Sequence, residues 1–228
     1  AFKHTVFEKW LEDNEEYLLP PVCNKLLHGG QLKVMFVGGK KANERGDYHV
    51  EDGEEFFYML KGQMTLKVVE QGKHRDIIIK QGEAFLLPPR IPHSPQRPPN
   101  SLGLVIERER LQGELDAMQW YVKGSADILW RRTFHCTDLG KDLVPIIKAY
   151  KASQESKSGK ARKRGSKGGD GVLAIMPLEK PIDEKTQLPE PQKLKTWVKS
   201  KTQDLKSGPL TLFKGSDFEV MVVTGNRR

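Results

Sequence analysis

Two cysteines, Cys23 and Cys136, are all that 228 residues contain, and neither belongs to a C-x-x-C pair. That scarcity excludes a disulfide framework and a zinc ribbon, and it fits free thiols in the reducing cytosol. Both read as small buried hydrophobes rather than nucleophiles. No apolar run is long enough to span a membrane, and the opening AFKHTVFEKWLEDNEEYL lacks the apolar stretch of a secretory signal. Net charge is also missing from the first 150 residues, where 21 Lys and Arg balance 21 Asp and Glu. The formal excess of +8 therefore lies in residues 151–228, which carry 17 basic and 9 acidic residues. Its centre, KSGKARKRGSKGGDG at 157–171, has no apolar periodicity and no interleaved aromatic, so it reads as a solvated, flexible basic linker. Neither nucleic acid nor a membrane is expected as a partner.

What the chain does contain is a long series of short β runs. An apolar content of 37% supports a packed core. Thr5–Leu18 spaces Phe7, Trp10, Leu11 and Leu18 mostly along one helical face, predicting a packing helix that Pro20-Pro21 ends. From Gln31 onward come LKVMFVGG, DYHV, EEFFYML, QMTLKVVE, HRDIIIK, EAFLLP, HSPQR and SLGLVIERER, punctuated by Gly, Asp, Asn and Pro. This pattern predicts a mainly β protein built on an antiparallel barrel or sandwich. ERERLQGELDAMQWYV and DLVPIIKAYKASQ then read as helices, with Pro145 kinking or starting the second. The expected domains are 1–156, a barrel with flanking helices; 157–172, the linker; and 173–228. Within the last, PLTLFKGSDFEVMVVTG reads as strand, turn, strand, too few strands to close a barrel.

One stretch, DYHVEDGEEFFYMLKG at 47–62, reads as strand, sharp turn at Asp52-Gly53, strand. Alternation puts Asp47, His49 and Glu51 on one face of the first strand, and Glu55, Phe57 and Met59 on one face of the second. A second histidine, His93, opens the strand after the proline-rich end of QGEAFLLPPRIPHSPQR. Two imidazoles and a carboxylate suit non-haem Fe(II) with open positions. Any one of the three alone is more often a satisfied or solvated side chain. Strand parity sends Arg45, Arg97 and Glu107 inward with the ligands, with Glu107 opposite Arg97. A buried arginine fork suits a carboxylate. Arg90, Arg108 and Arg110 read as solvated, and His4, His28, His74 and His135 as structural or exposed.

The spacing from Glu55 to Gly62, and from Gly82 through Pro88 to His93, resembles the two motifs of the cupin superfamily. Glu51 stands where many cupins carry a second histidine, and Arg97 where asparagine is common, which favours a three-ligand triad of His49, Glu55 and His93. PPVCNKLLHGGQLKVMFVGG, the 47–97 stretch and GLVIERERL together resemble the 3-hydroxyanthranilate 3,4-dioxygenase family of animals, closely over residues 5–150. That resemblance implies a jelly-roll-type cupin barrel, Fe(II) on His49, Glu55 and His93, and substrate held by Arg45, Arg97, Glu107 and Asn24. It also implies Glu107 as the proton acceptor and 3-hydroxyanthranilate and O2 as reactants. The product would be 2-amino-3-carboxymuconate semialdehyde, the precursor of quinolinate in kynurenine catabolism and NAD biosynthesis. Residues 209–225 then resemble the start of a second, metal-free cupin barrel, incomplete here, and a monomer is expected if that barrel is complete. The alternatives are another cupin metalloenzyme or a non-enzymatic cupin binding module.

Overall fold

The computed structural model describes residues 6–20, 23–163 and 165–225; His4, Thr5 and Pro21 of the sequence reading lie outside them. Eight strands follow the β runs closely: β2 (Leu32–Gly39), β3 (Tyr48–Val50), β4 (Glu55–Lys61), β5 (Gln63–Glu70), β6 (Lys73–Lys80), β7 (Glu83–Leu87), β8 (His93–Gln96) and β9 (Ser101–Arg108). A short β1 (Asn24–His28), not anticipated, precedes them and pairs with β2. One sheet sets β2, β9, β4 and β7 side by side; the other sets β3, β8, β5 and β6 side by side. All these pairs are antiparallel, and the chain moves back and forth between the two sheets, which is the jelly-roll arrangement of cupins.

This topology corrects the reading of residues 47–62 as a hairpin. β4 is flanked on both sides, by β7 and β9, and β3 by β8 and by β10 (Asp116–Tyr121), so neither has an edge free for the other. The Asp52-Gly53 turn is a crossover between sheets. Alternation along β4 and β9 survives intact, with Glu55, Phe57 and Met59 buried on one face and Ser101, Gly103, Val105 and Glu107 on the other strand's inner face. Apolar side chains fill the space between the sheets, including Phe57, Met64, Leu66, Ile77, Ile79 and Phe85, all at most 2% exposed. At the end of β2 the backbone runs so close to its neighbours that a Cβ on Gly38 or Gly39 would strike the Ser101 or Leu18 carbonyl oxygen, and both glycines have positive φ.

The segment read as helical from Glu107 to Val122 is instead the end of β9, a turn at Gly113, and β10; β11 (Ile128–Phe134) was not anticipated either. β10 is sandwiched between β3 and β11 and buried on both faces, so its side chains do not alternate in polarity. α1 (Phe7–Asp13) stops short of Leu18, which sits in a 3-10 turn, yet Phe7 and Trp10 pack on Phe36 as expected of a covering helix. α2 (Leu139–Ala152) contains Pro145 in its interior rather than starting there, and stacks Tyr150 on Trp120 with ring centroids 4.0 Å apart. No described helix is long and apolar enough to cross a membrane.

Residues after α2 cling to the barrel more than the composition suggested. α3 (Gln154–Ser158) follows directly, Arg162 pairs with Glu155, Asp170 with Arg132, and Lys167 bridges to Leu173. The expected boundary at 173 does not separate units, because Ala174 is buried against the Trp120–Trp130 cluster and Leu188 lies in the main core. β12 (Gln192–Lys193) then extends the first sheet beside β7. Past α4 (Leu194–Ser200) and α5 (Thr202–Ser207), β13 (Leu210–Lys214) and β14 (Glu219–Val222) form a separate two-stranded hairpin.

Leu188 provides the check on this attachment, being 3% exposed within the barrel core. Leu188→Ala should lower unfolding free energy by about 2–5 kcal/mol, as truncation of a buried leucine does. A side chain on a detached tail would change the urea midpoint hardly at all, so a parental midpoint would overturn the placement.

Candidate metal centre

His49 on β3 and His93 on β8 are direct cross-strand partners, with ring centroids 5.3 Å apart. Glu55 enters from the opposite sheet, where its own cross-strand partner is Glu107. The imidazoles and the carboxylate thus converge across the barrel interior rather than along one ribbon. His49, Glu51, Glu55 and His93 are all buried, and one donor atom from each falls within 4.8 Å of the others. They form a buried metal-binding group. Glu51, absent from the expected triad, is a fourth member.

Outer contacts fix which atoms face inward. Nδ1 of His93 lies 2.9 Å from the Ile91 carbonyl oxygen and donates to it, which turns Nε2 toward Glu55 at 3.3 Å. His49 meets Asp116 Oδ2 through Nε2 at 2.7 Å and turns Nδ1 toward Glu51. Such carboxylate and carbonyl partners orient the imidazoles of metal sites. Burial on its own would raise the Glu55 carboxyl, but the charge and hydrogen bond of His93 outweigh it and hold Glu55 well below the usual range. Burial wins at Glu51 and pushes it well up, against the pull of Arg110 and with help from Glu55 and Glu107.

Arg110 was read as solvated and is instead the buried counter-charge of the site. Its guanidinium lies 2.7 Å from Glu51, 2.7 Å from Glu107 and 2.8 Å from Asp116. Arg108 is not free either, since Glu114 and Asp217 grip it. His74 sits between Tyr48 and the Ser125 carbonyl and His135 against the Glu114 carbonyl, whereas His28 is exposed.

Asn24, Arg45, His49, Glu55, His93 and Arg97 line one cavity, so all but one of the expected site residues share it. The exception, Glu107, lines an adjoining cavity that Asn24 also borders. It lies opposite Glu55, not opposite Arg97 as strand parity suggested, because β9 runs beside β4. Arg45 is anchored by Asp47. Arg97 is 7% exposed, and burial together with the neighbouring Arg45 charge brings its pKa down to about 10. At neutral pH the cavity therefore holds two adjacent cations.

A family model described as 3-hydroxyanthranilic acid dioxygenase matches residues 2–151, the span that carries every residue of this site. The chain belongs to that family. The 3-hydroxyanthranilate 3,4-dioxygenase of Rattus norvegicus is 46% identical over 216 residues, 95% of this chain and 72% of the rat protein. The Homo sapiens protein of that name is 47% identical, covering 94% of this chain and 71% of its own length. For the Xenopus laevis protein the figures are 48%, 95% and 73%.

Asp116, which the sequence did not single out, and Arg110, which it read as solvated, complete the charge arrangement of this family member. Met118 lies opposite His49, so Asp116, two residues along the same face, reaches the imidazole. No local pattern signals that, because the contact depends on β10 lying beside β3. Arg110→Met should cost about 3–5 kcal/mol of stability, since it strands buried carboxylates. Glu51 and Glu107 are already raised by burial, and in the folded variant they take up protons more readily than in the unfolded chain. Folding then binds protons, so the loss should shrink as pH falls from 8 toward 5. Urea titrations at several pH values would show this, and a pH-independent penalty would contradict the charge-hub assignment.

Proposed function

We propose that His49, Glu55 and His93 hold Fe(II), with Glu51 behind them, and that Asn24, Arg45, Arg97 and Glu107 bind the substrate. The reaction is that of the family, the O2-dependent opening of the 3-hydroxyanthranilate ring. The observation that carries the residue assignment is the shared cavity, where buried Arg97 and its neighbour Arg45 face the histidines and Glu55.

The donor set fits such a metal. Two imidazoles and a carboxylate held well below the usual range offer mixed nitrogen and oxygen donors, and Glu51 Oε1 is buried without a hydrogen-bond partner among the described residues. Bound Fe(II) supplies the one-electron chemistry that lets O2 react with an aromatic ring. The chain's own residues do the rest. Arg97, beside Arg45, takes the substrate carboxylate, and the pairing of charges relieves the repulsion between the two guanidiniums. With that end fixed, the ring's hydroxyl and amino groups are directed toward His49, Glu55 and His93. Glu107, its carboxyl raised by burial against the opposing pull of Arg110, is the better base for it and accepts the phenolic proton. The apolar lining of Val37, Phe57 and Val105 keeps water from the cavity.

The hairpin β13–β14 is proposed as the start of a second, metal-free cupin barrel, supported by its separation from both six-stranded sheets and by the greater length of the relatives. Free, buried Cys23 and Cys136 support the cytosol as the compartment.

Substrate and metal roles separate by mutation. Alanine at His49, Glu55 or His93 should each strip Fe(II) from the purified protein, measured as bound metal per chain. Arg97→Ala removes a charge-assisted contact worth roughly 1.5–3 kcal/mol and touches no metal ligand. Bound iron should be unchanged, and KM for 3-hydroxyanthranilate should rise by about one to two powers of ten. 2-Aminophenol, which lacks the carboxylate, should lose little. Equal effects on both substrates would sink the carboxylate assignment. Glu107→Gln should lower kcat more than it raises KM.

A further inference from the structure

Glu54 and Glu55 are adjacent, and strand alternation sends them to opposite sides of the barrel wall. Glu55 points into the cavity, while Glu54 is buried beneath the turn that joins β13 to β14. There its carboxylate accepts from the backbone N–H of Ser216 at 2.6 Å, Asp217 at 3.0 Å and Phe218 at 2.7 Å, and from the Ser216 hydroxyl at 3.1 Å. Three successive amides around one anion make a backbone nest. Gly215 is needed at its rim, because a Cβ at that position would fall on the Glu54 carboxylate. The same arrangement recurs one strand away. Glu107 points inward and Arg108 outward, and Arg108 donates to Asp217 of the same turn at 2.7 Å. Glu55 and Glu107 are cross-strand partners, so the turn grips the outer side of both strand ends whose inner sides carry site carboxylates.

We propose that turn 215–218 is a clamp on the metal centre, with Glu54 and Arg108 as positioning residues that set where Glu55 and Glu107 stand. The Asp52-Gly53 crossover immediately before Glu54 has no hairpin partner to hold it, since it passes from one sheet to the other. Lys180 secures its near end through Asp52 at 2.6 Å, and the turn secures its far end. The segment after residue 208 thereby contributes to a site to which it lends no cavity-lining side chain. This inference rests on the reading that Glu55 holds the metal.

The test is Fe(II) affinity, measured anaerobically in the full chain by chelator competition, with a urea melt for each variant. Glu54→Ala should raise the Fe(II) dissociation constant by about 10- to 100-fold, as removal of an outer partner does. At saturating Fe(II), KM for 3-hydroxyanthranilate should rise far less than the Fe(II) dissociation constant, because Arg45 and Arg97 are untouched and Glu107 acts mainly on kcat; a parallel rise in KM would mean general loosening and overturn the clamp. Gly215→Ala should weaken Fe(II) binding in the parent and add nothing in the Glu54→Ala background, where the colliding carboxylate is gone. Equal effects of Gly215→Ala in both backgrounds, or parental affinity in Glu54→Ala, would refute the proposal. Should Glu54→Ala fold poorly, Glu54→Gln, which keeps one acceptor oxygen, should show a smaller loss in the same direction, and unchanged affinity there would count equally against it. Glu55→Ala separates the two readings: parental affinity in that variant would overturn the ligand assignment itself, whereas loss there with none in the clamp variants would sink only the clamp.

Discussion

Four carboxylates, Glu51, Glu55, Glu107 and Asp116, lie within the dry end of a small barrel, each at most 6% exposed. Burying that much like charge is prohibitive unless it is met by cations at close range. Arg110 answers for Asp116, Glu51 and Glu107, while His93 and His49 lie within 3.3 Å and 2.7 Å of Glu55 and Asp116. Much of the surrounding architecture serves this balance. β10 lies beside β3 so that Asp116 reaches His49, and the turn after β9 folds Arg110 back toward the acids. A metal ion held by His49, Glu51, Glu55 and His93 would add positive charge to this balance.

β4, β5 and β9 were legible because each alternates between more and less buried positions, which prints alternation into the sequence, whereas β3, β7 and β8 are buried almost throughout and were marked by the Gly, Asp and Pro that bound them. Along β4 the buried positions are Glu55, Phe57 and Met59, and along β9 they are Ser101, Gly103, Val105 and Glu107. β10 offered no such print. With neighbours on both edges and cover on both faces, Ala117, Met118, Gln119 and Trp120 are all buried, and Ala, Met and Gln are also good helix formers. Local propensity then points to a helix that the sheet overrides.

A similar division runs through the site. His49, Glu55 and His93 were legible from donor type and turn placement, although by the wrong route, since the residues meet across two sheets. Their outer partners were illegible for a definite reason. Arg110 ends the ERER run, where alternating charge reads as a solvated face, and only the fold reveals three acids around it. Parity placed Glu107 inside correctly but could not say what stood opposite, because strand order is a long-range property. In the basic segment 157–171, Arg162 and Asp170 find partners on α3 and β11 that composition cannot foresee.

The pairing of Glu55 with Glu107 supports the proposal that one barrel end supplies both a ligand and a base. The two carboxyls start from the same residue type and lie opposite one another on adjacent strands, yet their surroundings push them apart. Burial acts upward on both. At Glu55 it is overcome by His93, which lies 3.3 Å away and stabilises the ionised form, so the group stays a carboxylate and is fit to bind a cation. At Glu107 burial prevails against Arg110, and the ionised Glu55 raises it further, so the group is more basic than an ordinary glutamate. Two acids separated in this way suit the different tasks proposed for them, the weaker base holding charge in place and the stronger one receiving a proton. The separation depends on strand register: a one-residue slip of β9 against β4 would turn Glu107 outward and Arg108 inward, exchanging the proposed base for a cation beside the metal-binding group.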